Sequence, residues 1–148
     1  MAIEIERKFL VDKEQWRAVQ PAQGVRIMQG YLLNSIEKTV RVRTKGNQGF
    51  ITIKGKTEHI SRVEYEYEIP VHEAEELLNT FCPKKIDKIR YELVFEGFLW
   101  EVDVFTRPNK GLILAEIELS DEHQLFKLPK WVGKEVSDQA KYFNANML

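Results

Sequence analysis

The sequence predicts an α+β, mainly β fold: a closed eight-stranded antiparallel β-barrel with a few short flanking helices, as one domain over residues 1–148. Three observations lead there. Segments rich in Val, Ile, Tyr, Phe and Thr with period-two alternation recur along the chain. The connections between them read as hairpin turns. Charge on most strands falls on one face in like-signed pairs, while the few helical stretches are too short to cover an open sheet.

In chain order, strands are expected at residues 2–11, 27–33, 38–45, 50–55, 60–69, 86–96, 98–106 and 112–119. Lys45-Gly46-Asn47-Gln48-Gly49, Glu96-Gly97 and Pro108-Asn109-Lys110-Gly111 supply the turns, so most of the sheet is antiparallel. Helical periodicity marks 13–20, 72–80 after Pro70, 121–127, and 138–147 with Ser137 as N-cap. No linker, repeat or low-complexity run divides the chain.

Composition limits the function classes. With 43% hydrophobic and 30% charged residues, the chain can bury a core of its own. Its 22 basic and 23 acidic residues nearly cancel, which removes any bulk electrostatic case for nucleic acid or a membrane surface. Cys82 is the single cysteine, so no internal disulfide forms, and no apolar run approaches the ~20 residues of a membrane span. Glu4 and Glu6 stand where an export signal needs basic and apolar residues, so a cytoplasmic protein is expected, as a monomer or homodimer.

The strand faces carry the functional information. In EIERK, Glu4, Glu6 and Lys8 leave one side of the pleat. Arg41 and Arg43 share a face in TVRVR, Thr52 and Lys54 in ITIK, Lys88 and Arg90 in KIRYE. Glu64, Glu66 and Glu68 align in RVEYEYE, Glu101 and Asp103 in WEVDVF, Glu116 and Glu118 in AEIEL. A half-solvated sheet also alternates apolar with polar residues. Like charges on one strand are unfavourable unless offset, however, and the two signs balance across the rows. An eight-stranded barrel has room inside for side chains or one small ligand. Lined by these rows, it would offer Arg and Lys to phosphate oxygens and carboxylates to hard divalent cations. Glu4 and Glu6 then await a metal, and Lys8 a phosphate.

The motifs EIERKFLV, QGYL, VRVR, TIK, SRVEYE, KIRY, WEVDVF, AEIEL and GKEV occur in the order and spacing of the CYTH superfamily, the triphosphate tunnel metalloenzymes, which the chain resembles over nearly its whole length. Ile89 and Lys134 depart from the pattern, at Thr and acidic positions respectively. The resemblance implies an eight-stranded tunnel that binds a triphosphate with Mg²⁺ or Mn²⁺. It assigns phosphate contacts to Lys8, Arg41, Arg43, Lys54, Lys88 and Arg90, and metal ligation to Glu4, Glu6, Glu116 and Glu118. Glu64, Glu66 and Asp103 would serve a second metal or the attacking water, with Lys8, Glu64 and Glu66 as catalytic candidates. Tyr31 of QGYL is either a packed tyrosine or a residue near the tunnel interior.

Other chemistries lack support. His59, His72 and His123 have no Cys or Glu at ligand spacing, Cys82 before Pro83 reads as packing, and no phosphate-binding glycine loop occurs. Trp16, Trp100 and Trp131 read as core or lid anchors. The expected activity is metal-dependent hydrolysis of a triphosphate-containing small molecule, inorganic triphosphate above others, to diphosphate and phosphate. A class IV adenylyl cyclase and a thiamine or nucleoside triphosphatase are alternatives within the family; a non-catalytic polyphosphate-binding module is the alternative outside it.

Overall fold

In the computed structural model, which describes residues 2–148, nine strands join in one antiparallel sheet. They are β1 (Ile3–Val11), β2 (Val25–Asn34), β3 (Lys38–Lys45), β4 (Gln48–Gly55), β5 (Ser61–Ile69), β6 (Ile86–Phe95), β7 (Phe98–Arg107), β8 (Ile113–Glu118) and β9 (Val132–Glu135). Two helices, α1 (Lys13–Arg17) and α2 (Val71–Phe81), interrupt them. The strand order β5-β4-β3-β2-β6-β7-β8-β1 is closed by pairing of Ile3 with Val63 and Ile5 with Ser61, which makes the expected eight-stranded barrel. The short β9 adds beside the end of β1, opposite Phe9 and Val11.

Register is pinned by the turns. Lys45 pairs with Gln48, leaving Gly46-Asn47 as a two-residue loop with Gly46 at φ +57°. Phe95 pairs with Phe98, and both turn residues, Glu96 and Gly97, take positive φ, as a hairpin turn matched to strand twist requires.

The barrel is inside out relative to an ordinary β-sandwich. Phe9, Trp100, Val102, Ala115, Ile117 and Trp131 form a buried cluster on the outer wall of β1, β7 and β8, with Trp16 of α1 and Phe126 packed against it. Val42, Ala74, Leu78 and Cys82 bury the outer face of β3 under α2. Glu4, Lys8, Arg41, Arg43, Lys54, Lys88, Arg90, Asp103 and Glu116 are each less than a tenth exposed. They occupy the alternate strand positions, so the charged rows face the lumen. No helix among the described residues is long and apolar enough to cross a membrane.

Three expectations are corrected. Residues 121–123 form a turn and 124–127 irregular chain rather than a helix, because the Asp121 carboxylate accepts from the His123 amide and Gln124 Oε1 accepts from the Ser120 amide and hydroxyl. These side chains compete with helical backbone bonding. Residues 138–147 form two short 3₁₀ turns, Ala140–Tyr142 and Asn144–Asn146, instead of one helix. The Tyr142 carbonyl accepts from Lys8 Nζ (3.1 Å) and the Ala145 carbonyl from Asn34 Nδ2 (2.7 Å), so tail carbonyls serve the barrel rather than a helical ladder. Ser137 caps nothing; its hydroxyl accepts from the Lys8 amide (2.9 Å) and donates to Glu135 (2.6 Å). Finally, β9 is unannounced in the sequence, since a four-residue VGKE segment shows little alternation.

Gly30 lies where the C-terminal end of α2 and the following Cys82 press on β2. A Cβ there would lie 2.6 Å from Cys82 Cβ and 3.2 Å from a Leu78 methyl. Gly30→Ala should therefore force the helix off β2 and cost about 1–3 kcal/mol, the usual range for overpacking. Urea unfolding measures it, and an unchanged midpoint would show that α2 yields freely.

Candidate active site

The lumen's polar residues are assembled from every strand of the ring. Lys8 on β1 sits opposite Glu116 on β8, and Glu6 opposite Glu118. On the adjoining side Glu4 faces Arg62, Lys54 faces Glu64 and Thr52 faces Glu66. A cavity of about 500 Å³ opens between them, lined by Glu4, Glu6, Lys8, Tyr31, Arg41, Lys54 and Arg62 and bordered by Phe143 and Asn144 of the tail.

Most charges are matched. Lys54 Nζ donates to Glu4 (3.1 Å) and lies 3.2 Å from Glu64; Arg62 Nε donates to Glu4 (3.3 Å). Burial pushes the Glu4 carboxyl up, but Lys54, a hydrogen bond from Glu64 and Arg62 bring it down to about 2. Burial and the bond to Glu4 lift Glu64 to about 7, so the pair shares a proton beside Lys54. Lys8 lies 3.5 Å from Glu116, whose carboxyl is held well below the usual range because Lys8, Arg90 and Lys88 overcome its burial.

A second group lies outside the cavity lining. Asp103 receives two bonds from Arg90 (2.7 and 2.9 Å) and stands 2.8 Å from Lys88; Arg90 also donates to Glu101 (3.1 Å), and Arg43 to Glu66 (3.1 Å). Asp103 is buried, yet Arg90 and Lys88 lower it to about 2. Lys88 is fully buried, and burial brings it down to about 8 despite Asp103.

Two groups in the cavity break the pattern. Arg41 is 8% exposed and, among the described residues, has no carboxylate within 4 Å; Thr52 Oγ1 accepts from its Nη2 at 3.3 Å. Glu6 is half-buried and, among the described residues, has no cationic partner at that range. Burial together with Glu116 and Glu4 pushes its carboxyl up to about 8. Unmatched carboxylates on β1 and β8 suit a hard divalent cation in charge and donor type. Among the described residues, though, no three metal-ligating side chains are already gathered at coordination spacing.

The sequence-assigned phosphate and metal candidates thus all reach the lumen or its rim. Glu66 and Glu118 are at exposed positions, and Asp103 is clamped by cations. Sequence reasoning missed Arg62, although it shares strand parity with Glu64 in SRVEYE, and it missed Glu101 as a partner for Arg90. The tail residues carried no signal, because their role depends on where the chain end returns. Tyr31 lines the cavity, whereas Lys134 is exposed and outside its lining.

Residues 2–146 match the CYTH domain family. The chain is 48% identical over 149 residues to a protein of Acetivibrio thermocellus named inorganic triphosphatase, covering all of this chain and 94% of that one. A protein of the same name from Nitrosomonas europaea is 37% identical over 150 residues, covering 95% and 93%. A crystal structure described as an inorganic triphosphatase superposes with a TM-score of 0.66 at 33% identity, covering 99% of this chain and 94% of that one.

The titration pattern gives a stability profile. Glu6 and Glu64 hold protons in the folded state to about pH 8 and 7, against 4.5 ordinarily, so stability falls as pH rises across that window. Glu4 and Asp103 act oppositely: held to about 2, they add stability that is lost as pH drops below their ordinary values toward 2. Melting temperature in chelator should therefore peak near pH ~5 and decline on both sides. A plateau from pH 5 to 8.5 in calorimetric scans would contradict the assigned protonation of Glu6.

Proposed function

The chain belongs to the CYTH domain family, and from that premise we propose that it is a metal-dependent triphosphatase that cleaves inorganic triphosphate to diphosphate and phosphate. The observation that carries this reading is the pair of unpartnered groups in one cavity, the Arg41 cation and the Glu6 carboxyl, which holds its proton to about pH 8 and would give it up to a bound divalent cation. A polyanion that brings its own divalent cation answers both. The shared name of the two curated relatives supports the choice of substrate.

Glu4, Glu6, Glu116 and Glu118 would hold Mg²⁺ or Mn²⁺. The ion, when bound, neutralises phosphate charge and acidifies coordinated water. Asp103 could join them only by giving up Arg90 or Lys88; otherwise it aims those two cations. Arg41 offers its guanidinium fork to phosphate oxygens, and Lys8, Arg43, Lys54, Lys88 and Arg90 complete the cationic set. Glu64, titrating near neutrality, can take a proton from the attacking water. Glu66 steadies Arg43 across the same row. Lys8, beside Glu116, stabilises charge that develops on the leaving diphosphate.

The test is phosphate release from tripolyphosphate, ATP, thiamine triphosphate and pyrophosphate, with Mg²⁺ and Mn²⁺ compared. Tripolyphosphate should turn over fastest, and EDTA should abolish the reaction until metal is restored. Glu6→Gln should remove turnover while circular dichroism stays native. Lys54→Ala should lower kcat about 10²–10³-fold if its ammonium meets transition-state charge. Cyclic AMP formed from ATP faster than phosphate from tripolyphosphate would make the protein a cyclase. Thermal stabilisation by tripolyphosphate without turnover would make it a binding module.

A further inference from the structure

The lumen wall built by β2 and β3 holds polar groups with no partner. Gln29 is fully buried, and neither its Nε2 nor its Oε1 is hydrogen-bonded among the described residues. The buried Nε atoms of Arg41 and Arg43 on the next strand are also unpartnered. Register sets these groups side by side, Gln29 opposite Arg43 and Tyr31 opposite Arg41. On the other flank Gln29 faces Ile86, which is buried and apolar.

The direction of the side chain follows from its neighbours. A Cβ on Gly30 would run into Cys82 and Leu78 under α2, so position 30 faces outward. Tyr31, two residues on from Gln29, lines the cavity. Alternation along the strand therefore turns Gln29 inward, one step deeper along β2 than the cavity wall. A buried amide with both ends unbonded destabilises the folded chain. Beside Ile27 and Ile86, an apolar side chain of the same length would fill that place without this cost.

We propose that Gln29 is a substrate contact. In the substrate-bound state its Oε1 accepts from the Nε–H of Arg41 or Arg43, a bond not made in this structure, which turns the Nε2 amide toward the lumen to donate to a non-bridging phosphoryl oxygen. This rests on the triphosphatase reading and deepens it, adding a neutral donor to the cationic row. Being uncharged, the amide binds an anionic oxygen without disturbing the balance of charges around Arg41 and Arg43. The same wall then presents donors to phosphate from two adjacent strands.

The experiment compares the wild-type chain with Gln29→Met, which keeps length but cannot donate a hydrogen bond, and with Gln29→Glu, which keeps shape and adds charge. Melting temperature in chelator and tripolyphosphate kinetics with Mg²⁺ are measured for each. Gln29→Met should melt at the same or a higher temperature while its KM rises about ten- to hundredfold, the worth of one hydrogen bond to a charged group. Gln29→Glu should raise KM further by repelling the anion. A Gln29→Met protein that melts lower with KM and kcat unchanged would overturn the proposal and make the amide a structural group. If that variant does not fold, an unchanged KM for folded Gln29→Glu overturns it instead. A wild type that neither binds nor hydrolyses tripolyphosphate overturns this inference and the triphosphatase reading together. An active wild type with an indifferent Gln29→Met overturns this inference alone.

Discussion

Charge neutrality inside a closed barrel is the constraint on which the structure depends. In a poorly hydrated lumen the attraction between opposite charges strengthens, and so does the cost of any charge left alone. The chain meets this with interlocked pairs: Lys54 between Glu4 and Glu64, Lys8 on Glu116, and Asp103 between Arg90 and Lys88. Those pairs exist only in one register. A slip of one residue on any strand would turn a charged row outward and an apolar row inward, so the turns at Gly46 and Gly97 bear on the chemistry as much as on the fold.

Filling the lumen with charge moves the hydrophobic core to the outside of the barrel. An outer apolar wall needs covering, and each piece outside the ring supplies some of it. Trp16 of α1 packs on Trp131 and Tyr91 at ring distances of 5.4 and 5.8 Å. Phe126, from the turn-rich segment before β9, meets Phe9, Phe98 and Trp100. Coverage is incomplete: Ile53, Tyr65 and Tyr67 on the outer side of β4 and β5 remain exposed. Apart from the Ile86, Phe105, Leu114 and Val136 cluster, which shares the lumen face with Lys88 and Asp103, the stabilising contacts and the reactive groups thus lie on opposite faces of the same strands. Packing of the outer wall can hold the inner rows at fixed spacing without occupying the site.

This separation explains what could be read from the sequence. Period-two alternation is a local signal, and it located all eight barrel strands and the inward side of Glu4, Arg41, Lys54 and Asp103. The residues that escaped depend on distant partners. Residues 138–147 have the composition of a helix, but their carbonyls are drawn to Lys8 and Asn34 across the lumen mouth, which no local pattern encodes. Arg62 was visible by parity yet stood outside the like-signed rows, because it is a cation on a strand of carboxylates. Whether a charge is matched is a further step removed. Arg41 and Arg43 look alike in VRVR, and only the fold gives Glu66 to one and no carboxylate to the other.

The matched and unmatched charges are not spread evenly around the ring, and that asymmetry gives the tunnel a direction. On β6, β7 and β8 the cations are saturated: Arg90 has Asp103 and Glu101, and Lys88 has Asp103. On β3 they are not, since among the described residues Arg41 lacks a carboxylate and the Nε atoms of Arg41 and Arg43 lack acceptors, and Gln29 beside them on β2 is unpartnered too. An anion entering the lumen gains most against that second wall, while the excess of carboxylate at Glu6 and Glu118 lies across from it on β1 and β8. The tail adds only neutral oxygens, the Tyr142 carbonyl on Lys8 and Asn144 Oδ1 3.5 Å from Lys88. A charged phosphoryl oxygen makes a stronger bond to an ammonium than a neutral carbonyl does. These contacts can therefore hold the cations ready in the absence of substrate and give way when it arrives.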